Sequence, residues 1–298
     1  MSTTQSLLVT GAAGQLGRRA VELLLEAKAG RVVAGTRDPG KCDDLAKRGA
    51  IVRRVDFDEP GTLSDALAGV DRVLLISTDS LEPGQRGRQH RRAIEVLAKA
   101  RTKHVVYTSL ARAEAGSPVL LAGDHIVTEQ ALAESGLGHT ILRNNMYTEV
   151  LLMSLPKAVA TGKLFAAAGA GGAAYVTRED CARAAVAALS AAFEGKRTLE
   201  ITGPAVVTHT ELASLASQLS GTRVEYVAME LDALVGAMVQ GGLPEAVAKL
   251  FASFDAGMAR GFFGPATTEF RELTGKEPTG VADFLATHRQ AFLGVARG

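Results

Sequence analysis

The chain has 298 residues, enough for one large α/β unit with a substantial core, or for such a unit and a smaller lobe. Its 33 Lys and Arg against 32 Asp and Glu exclude the one-signed field that draws a protein to nucleic acid or to an anionic membrane. Two distant cysteines, Cys42 and Cys181, exclude a disulfide framework and fit a reducing, cytoplasmic setting, and the histidines show no paired spacing for a metal.

From the N-terminus, MSTTQSLLVTG passes straight into a strand with no basic stretch and long apolar run, so no signal peptide is expected. Short apolar runs bounded by turn residues then alternate with amphipathic stretches, the pattern of parallel strands joined by helical crossovers. Strands are expected at residues 7–10, 32–36, 51–56, 73–77, 105–109 and 140–143. Helices are expected at 15–28, 40–47, 60–67, 88–100 and 123–134. Beyond Thr148 the reading is a helix near 156–160, a Gly/Ala-rich loop within 158–176, a helix over 178–193 and a strand over 198–202. Helix is again expected over 208–220 and through most of the chain after Leu231. Val247, Leu250, Phe251, Phe254 and Met258 there form one apolar stripe, either ordinary core or the wall of a substrate pocket. No apolar run approaches the roughly twenty residues of a membrane span. The fold class is α/β, a Rossmann-type doubly wound parallel sheet over 1–155, completed by 176–204. A smaller, mainly helical substrate lobe is expected from 205–298 with 156–175.

The segment with the clearest chemistry is Gly11-Ala12-Ala13-Gly14-Gln15-Leu16-Gly17, which leaves the first strand and opens a helix. Gly11 permits the tight turn, Gly14 allows a pyrophosphate to approach the backbone, and Gly17 lets the helix pack on the sheet. The helix N-terminus then meets the phosphate charge. At the end of the second strand stands Arg37, whose planar fork suits the 2′-phosphate of NADPH, whereas an NAD site commonly places a carboxylate there. Lys41 adds a second positive charge, and Asp38 either faces the ribose or caps the next helix. NADPH is therefore expected in preference to NADH. Asp56 and Phe57 suit an adenine edge and face, or a turn cap. The basic run Arg86, Arg88, His90, Arg91 and Arg92 reads as a solvated helix start near the cofactor.

These stretches resemble the short-chain dehydrogenase/reductase superfamily, and within it the atypical, NmrA-like branch. They are most similar to the bacterial NADPH-dependent quinone oxidoreductases of type 2, with triphenylmethane reductase a relative. The matching segments are TGAAGQLG from Thr10, TRDPGK from Thr36, VDRVLLIS from Val70, GQRGRQH from Gly84, VVYTSL from Val105, LAGDHIVTE from Leu121, LRNNMYTE from Leu142 and VTRED from Val176. The resemblance implies that Asn144, Asn145, Met146, Tyr147, Thr148 and Glu149 line the nicotinamide end, and that Ser77, Thr78 and Asp79 flank phosphate and ribose. Most members of the superfamily carry a Tyr-x-x-x-Lys pair after the fifth strand. Aligned on Glu129, this chain has Leu121 and His125 instead, while Ser109 is retained to bond substrate or cofactor.

Loss of the phenol selects among acceptors. Reducing a simple ketone develops an alkoxide whose conjugate acid has a pKa near that of water, ~15.7, whereas a quinone becomes a phenolate with a pKa of about 10. The gap of roughly 6 units is about 8 kcal/mol less basic charge to stabilise. Direct hydride transfer to a small quinone-like acceptor, or to a cationic dye that accepts hydride at carbon, is the expected chemistry. Asn144 would orient the carboxamide, Tyr147 would stack on the acceptor or donate to it, and His125 would polarise an oxygen or deliver a proton. A dinucleotide-binding redox sensor without chemistry is the alternative reading. Either a monomer or a homodimer is compatible with the surface composition.

Overall fold

Apolar runs too short for helices become strands buried on both faces, and the amphipathic segments between them cover the sheet. The computed structural model describes residues 5–293. In chain order the strands and helices of the first half are β1 (Ser6–Val9), α1 (Gln15–Glu26), β2 (Arg31–Thr36), α2 (Asp43–Lys47), β3 (Ile51–Arg54), α3 (Pro60–Ala66), β4 (Arg72–Leu75), α4 (Gln85–Lys99), β5 (His104–Leu110), α5 (Ala122–Glu134) and β6 (His139–Asn144). The second half adds α6 (Leu151–Thr161), β7 (Lys163–Ala166), β8 (Gly172–Ala173), α7 (Arg178–Ser190), β9 (Lys196–Ile201), β10 (Val207–Thr208), α8 (His209–Ser220) and β11 (Glu225–Ala228). It closes with α9 (Leu231–Gln240), α10 (Glu245–Ala259), α11 (Glu269–Thr274), α12 (Val281–Thr287) and α13 (Arg289–Phe292).

Seven strands form one parallel sheet in the order β3-β2-β1-β4-β5-β6-β9. Residues of alternate parity face opposite sides. Leu7 and Val9 with Leu74, Val106 and Leu142 pack under α1 and α7, through Ala20, Leu24, Ala184 and Ala185. Leu8 with Val33, Val73, Leu75 and Tyr107 packs under α3, α4 and α5, through Leu63, Ile94, Leu97 and Leu132. Strand order reverses between β1 and β4, so a crevice opens beyond their C-terminal ends, where ligands of such sheets bind. A third cluster joins Leu155, Leu164, Leu212, Ala216, Met258, Phe263, Phe284 and Leu285, outside the sheet proper.

Several expected boundaries move for local reasons. β4 ends at Leu75, because the amides beyond it turn to side chains: Ile76 N–H to Thr10 Oγ1, Ser77 N–H to Thr108 Oγ1 and Thr78 N–H to His90 Nε2. α4 starts at Gln85, three residues early, behind Gly84 in the left-handed region. The helix expected at 156–160 runs through Pro156 over Leu151–Thr161. The Gly/Ala-rich run is not simply a loop. It holds β7, paired in parallel with β11, and β8, paired antiparallel with β10. These strands are too short for a period-two signal, and Gly172 lies so close to the Val207 carbonyl that a Cβ would stand 2.6 Å from it. The expected stripe on α10 also divides: Leu250 and Met258 are buried, while Phe251 is 40% exposed.

The tail returns to the sheet through Asp180, a wholly buried residue of α7. Its Oδ2 accepts from Thr177 Oγ1 at 2.7 Å and from the Thr279 amide at 2.8 Å. Asp180→Ala leaves the buried Thr177 hydroxyl and the half-buried Thr279 amide without this acceptor, which costs about 1–3 kcal/mol. Urea denaturation is expected to show that loss, and an unchanged midpoint would refute this anchoring role.

Candidate functional site

Thr10 follows β1 and stitches it to β4: its Oγ1 donates to the Leu74 carbonyl at 3.2 Å and accepts from Ile76 N–H. Gly11 follows with φ of 62°, a conformation that side chains resist. The Gly14 amide donates back to Gly11 at 2.9 Å, and α1 starts at the next residue. A Cβ on Gly17 would stand 2.3 Å from the Gly11 carbonyl oxygen, so α1 reaches this depth only with glycine there. No side chain caps α1 and no acid occupies its first turn. Its unpaired amides and the positive end of its dipole are left for a ligand.

The turn opens into a cavity of about 710 Å³. Gly11, Ala13, Gly14, Gln15 and Leu16 line one side, Arg37, Asp56 and Phe57 another, and Ser77, Thr78, Asp79 and Tyr147 the remainder. Twelve of the sequence-derived cofactor positions thus converge. Arg37 is 68% exposed at the mouth, where it faces Asp79 at 3.5 Å. Asp38 does not line the cavity, makes no capping hydrogen bond, and has Lys41 at 3.9 Å. Asp56 both lines the cavity and accepts from the Asp58 amide at 3.0 Å, so turn and wall are one residue's work.

Six positions lie outside the cavity surface: Ala12, Ser109, Asn144, Asn145, Met146 and Thr148. Ala12 is wholly buried, its amide tied to Gly35. Ser109 Oγ donates to Glu129 at 2.6 Å, and Glu129 pairs with Arg143. Asn145 bonds the Phe263 carbonyl and the Met146 amide, holding the backbone together. Asn144 differs: its Oδ1 is buried with no partner among the described residues. A second cavity of about 740 Å³, between α9, α10 and Leu120, is lined mainly by small and apolar side chains. None of the perturbed buried groups reaches it, so the chemistry belongs to the first.

Of the residues outside the cofactor positions expected from the sequence, Gln85, Arg86, Gln89 and Arg178 also line the cavity. The basic run on α4 is not a uniformly solvated helix start. Arg88, Arg91 and Arg92 face outward, but Arg86, Gln89 and His90 are buried. The signal was present in their spacing, which continues the buried stripe of Ala93, Ile94 and Leu97 one turn toward the N-terminus. The Arg178 guanidinium stands 4.9 Å over the Tyr147 ring and 3.7 Å from Glu149.

Behind the cavity runs a chain of buried polar groups. Burial pushes His90 down to about 3 and His125 well below the ordinary imidazole value, with the Arg86 charge adding to both, so each ring is neutral near pH 7. His90 Nε2 accepts the Thr78 amide at 3.0 Å, so its proton is on Nδ1 and is donated to Thr128 Oγ1 at 3.0 Å. Thr128 passes its own proton to the Asp124 carbonyl. Tyr107 Oη, held as phenol by burial, lies 3.4 Å from His90 Nδ1 and 2.8 Å from His125 Nδ1, so its proton goes to His125. His125 therefore carries its hydrogen on Nε2, which has no partner among the described residues. The ring is 4% exposed and does not line the cavity itself.

An uncapped helix at a glycine turn, set at the switch point of a parallel sheet, defines a Rossmann-type dinucleotide-binding protein. The family described as NAD(P)H-binding matches residues 11–192. Quinone oxidoreductase 2 of Escherichia coli (strain K12) is 38% identical over 278 residues, covering 93% of this chain and 96% of that protein. NAD(P)H azoreductase of Xenophilus azovorans is 31% identical over 287 residues, 96% of this chain and 99% of its own. The crystal structure of the E. coli NADPH-dependent quinone oxidoreductase complexed with NADPH has a TM-score of 0.89 at 37% identity, over 95% of this chain and 99% of that one. Citrobacter sp. triphenylmethane reductase complexed with NADP(H) gives 0.89 at 29% identity, over 95% and 99%. The chain belongs to the NAD(P)H-binding family. Among the described residues no helix is long and apolar enough to cross a membrane, and no metal-holding cluster occurs.

The neutral histidines make stability pH-dependent. His90, His104 and His125 all have folded pKa values below the unfolded 6.5, so their contribution is complete above pH 6.5 and is lost as pH falls toward the folded values. Each removes about 1.4 kcal/mol per pH unit in that window. Urea melts between pH 7 and 5 are expected to show this steep loss. Nitrogen NMR is expected to report His125 with its proton on Nε2 and His90 on Nδ1; the opposite tautomers would break the chain described.

Proposed function

We propose that the protein is an NADPH-dependent oxidoreductase that transfers hydride directly to a quinone or similarly conjugated small molecule, working in the cytoplasm. The observation that carries this reading is the wall that includes Tyr147, behind which Leu121 and a buried, neutral imidazole, His125, hold the places of a phenol and ammonium pair. Such a wall can steady a phenolate, but it offers no strong acid to an alkoxide. The likeness to quinone oxidoreductase 2 and to the azoreductase supports the same chemistry.

The residues present fit the coenzyme. The amides of the Gly11–Gly17 turn and α1 would hold its pyrophosphate, and Arg37 would take the 2′-phosphate, leaving an exposed ion pair with Asp79 worth little in water. Asp56 and Phe57 would bracket the adenine, and Ser77, Thr78 and Asp79 the ribose. The orphaned Asn144 Oδ1 would accept from the carboxamide, with Asn145, Met146 and Thr148 shaping that end and Ser109 holding the helix of His125 through Glu129. NADPH, when bound, supplies the hydride. Tyr147, kept phenolic by burial, would border the acceptor, and His125, set behind the cavity surface, would act on its oxygen only where the bound acceptor reaches past that surface. Solvent returns the proton after transfer.

A non-catalytic redox sensor is the second reading, favoured by the missing Tyr and Lys. Mixing the protein with NADPH and a panel of benzoquinones and naphthoquinones, while following coenzyme absorbance, separates the two. Steady oxidation is expected, whereas a flat trace with tight, redox-selective binding would favour the sensor. Arg37→Ala is expected to weaken NADPH binding roughly 10- to 100-fold, the worth of a charged hydrogen bond, while leaving NADH nearly unaffected. Equal losses by calorimetry would overturn the role of Arg37.

A further inference from the structure

Arg86 is a cation in the cavity wall that no carboxylate contacts among the described residues, Asp124 and Asp79 acting on it only from beyond ion-pair distance. It stands on the first turn of α4 and is 6% exposed. Its Nη2 donates to the Ser80 carbonyl at 3.0 Å, its Nε is buried without an acceptor, and it forms no ion pair among the described residues. The other two cavity arginines differ. Arg37 faces Asp79 and Arg178 faces Glu149, and both reach more solvent. An isolated buried guanidinium is unfavourable unless something completes it, and it stays charged at any working pH.

Its position says which charge completes it. The amides of the glycine turn and Arg37 already answer the coenzyme's phosphates. Arg86 lines the same cavity as Tyr147, its field reaches His90 and His125, and Tyr107, Asp124, Asp79 and Tyr147 act back on it. That is the wall assigned above to the acceptor. Resting on the proposed function, we infer that Arg86 is a specificity-determining residue that favours neutral acceptors which become anions and disfavours acceptors that are already cations. In the favoured case, the C4–H bond of NADPH breaks and its hydride bonds to one carbonyl oxygen of the quinone, both carbonyl π bonds rearrange into the aromatic ring, and the other oxygen becomes a phenolate while NADPH becomes NADP⁺. The phenolate takes a proton from solvent on leaving. In the disfavoured case, a cationic triphenylmethane dye gains hydride at its central carbon and becomes neutral, so Arg86 repels the reactant and gains nothing from the product.

The test uses the full chain with Arg86→Gln and Arg86→Lys. NADPH is paired either with a neutral naphthoquinone or with a cationic triphenylmethane dye. Arg86→Gln is expected to lower kcat/KM for the quinone roughly 10- to 100-fold and to leave the dye unchanged or faster, with Arg86→Lys restoring the quinone. A readout without turnover is 4-nitrophenol bound to the NADP⁺-loaded protein. Its absorbance should report the phenolate form below its solution pKa in the parent and Arg86→Lys, but not in Arg86→Gln. An unchanged NADPH Kd certifies that the variant is folded. Equal losses for quinone and dye, or a weakened NADPH Kd as the main effect, would overturn the inference. A parent protein that oxidises no NADPH yet holds the probe as phenolate would sink the proposed function and leave the charge assignment of Arg86 standing.

Discussion

The contact between Gly17 and the Gly11 carbonyl governs the rest of the molecule. Only because no side chain stands at Gly17 can α1 press its first turn against the end of β1. That approach leaves the helix uncapped, sets the depth of the cavity, and aligns its amides with the crevice between β1 and β4. The sheet order would place a ligand at this crevice in any case. The glycine contact makes that ligand an anion.

On the far wall the logic is desolvation. Burial removes charge from His90 and His125 and keeps Tyr107 protonated, so that one hydrogen-bond pattern remains possible. The fixed point of that pattern is a backbone group, the Thr78 amide, which lies where β4 has stopped pairing. The irregular exit of the strand is thus what orients the histidines. A neutral imidazole prepared as a donor needs no proton inventory from solvent before it meets an oxygen.

Much of this was legible in the sequence. The glycine turn, Arg37 and the strands of the parallel sheet follow from residue type and spacing, because backbone conformation and double-sided burial leave local marks. The wall residues Arg86 and Gln89, with His90 behind them, are harder to read, since a cluster of charges looks solvated until its periodicity is set against the apolar stripe of the same helix. β7 and β11 left no pattern at all. Each is four residues long, and their pairing joins segments about sixty residues apart. The polar chain through Tyr107 and His125 depends on which rings meet across β5 and α5, a fact of packing and not of local sequence.

The anchoring of Thr279 on Asp180 links two parts of the molecule that sequence similarity treats separately. The family match ends at residue 192, yet the helix whose start carries Arg178 into the cavity is clamped by a residue of the tail. Tail and coenzyme end therefore share a mechanical fixture. Remodelling the C-terminal elements to admit a bulkier reactant would also retune the grip on the nucleotide, so that the two preferences cannot drift independently.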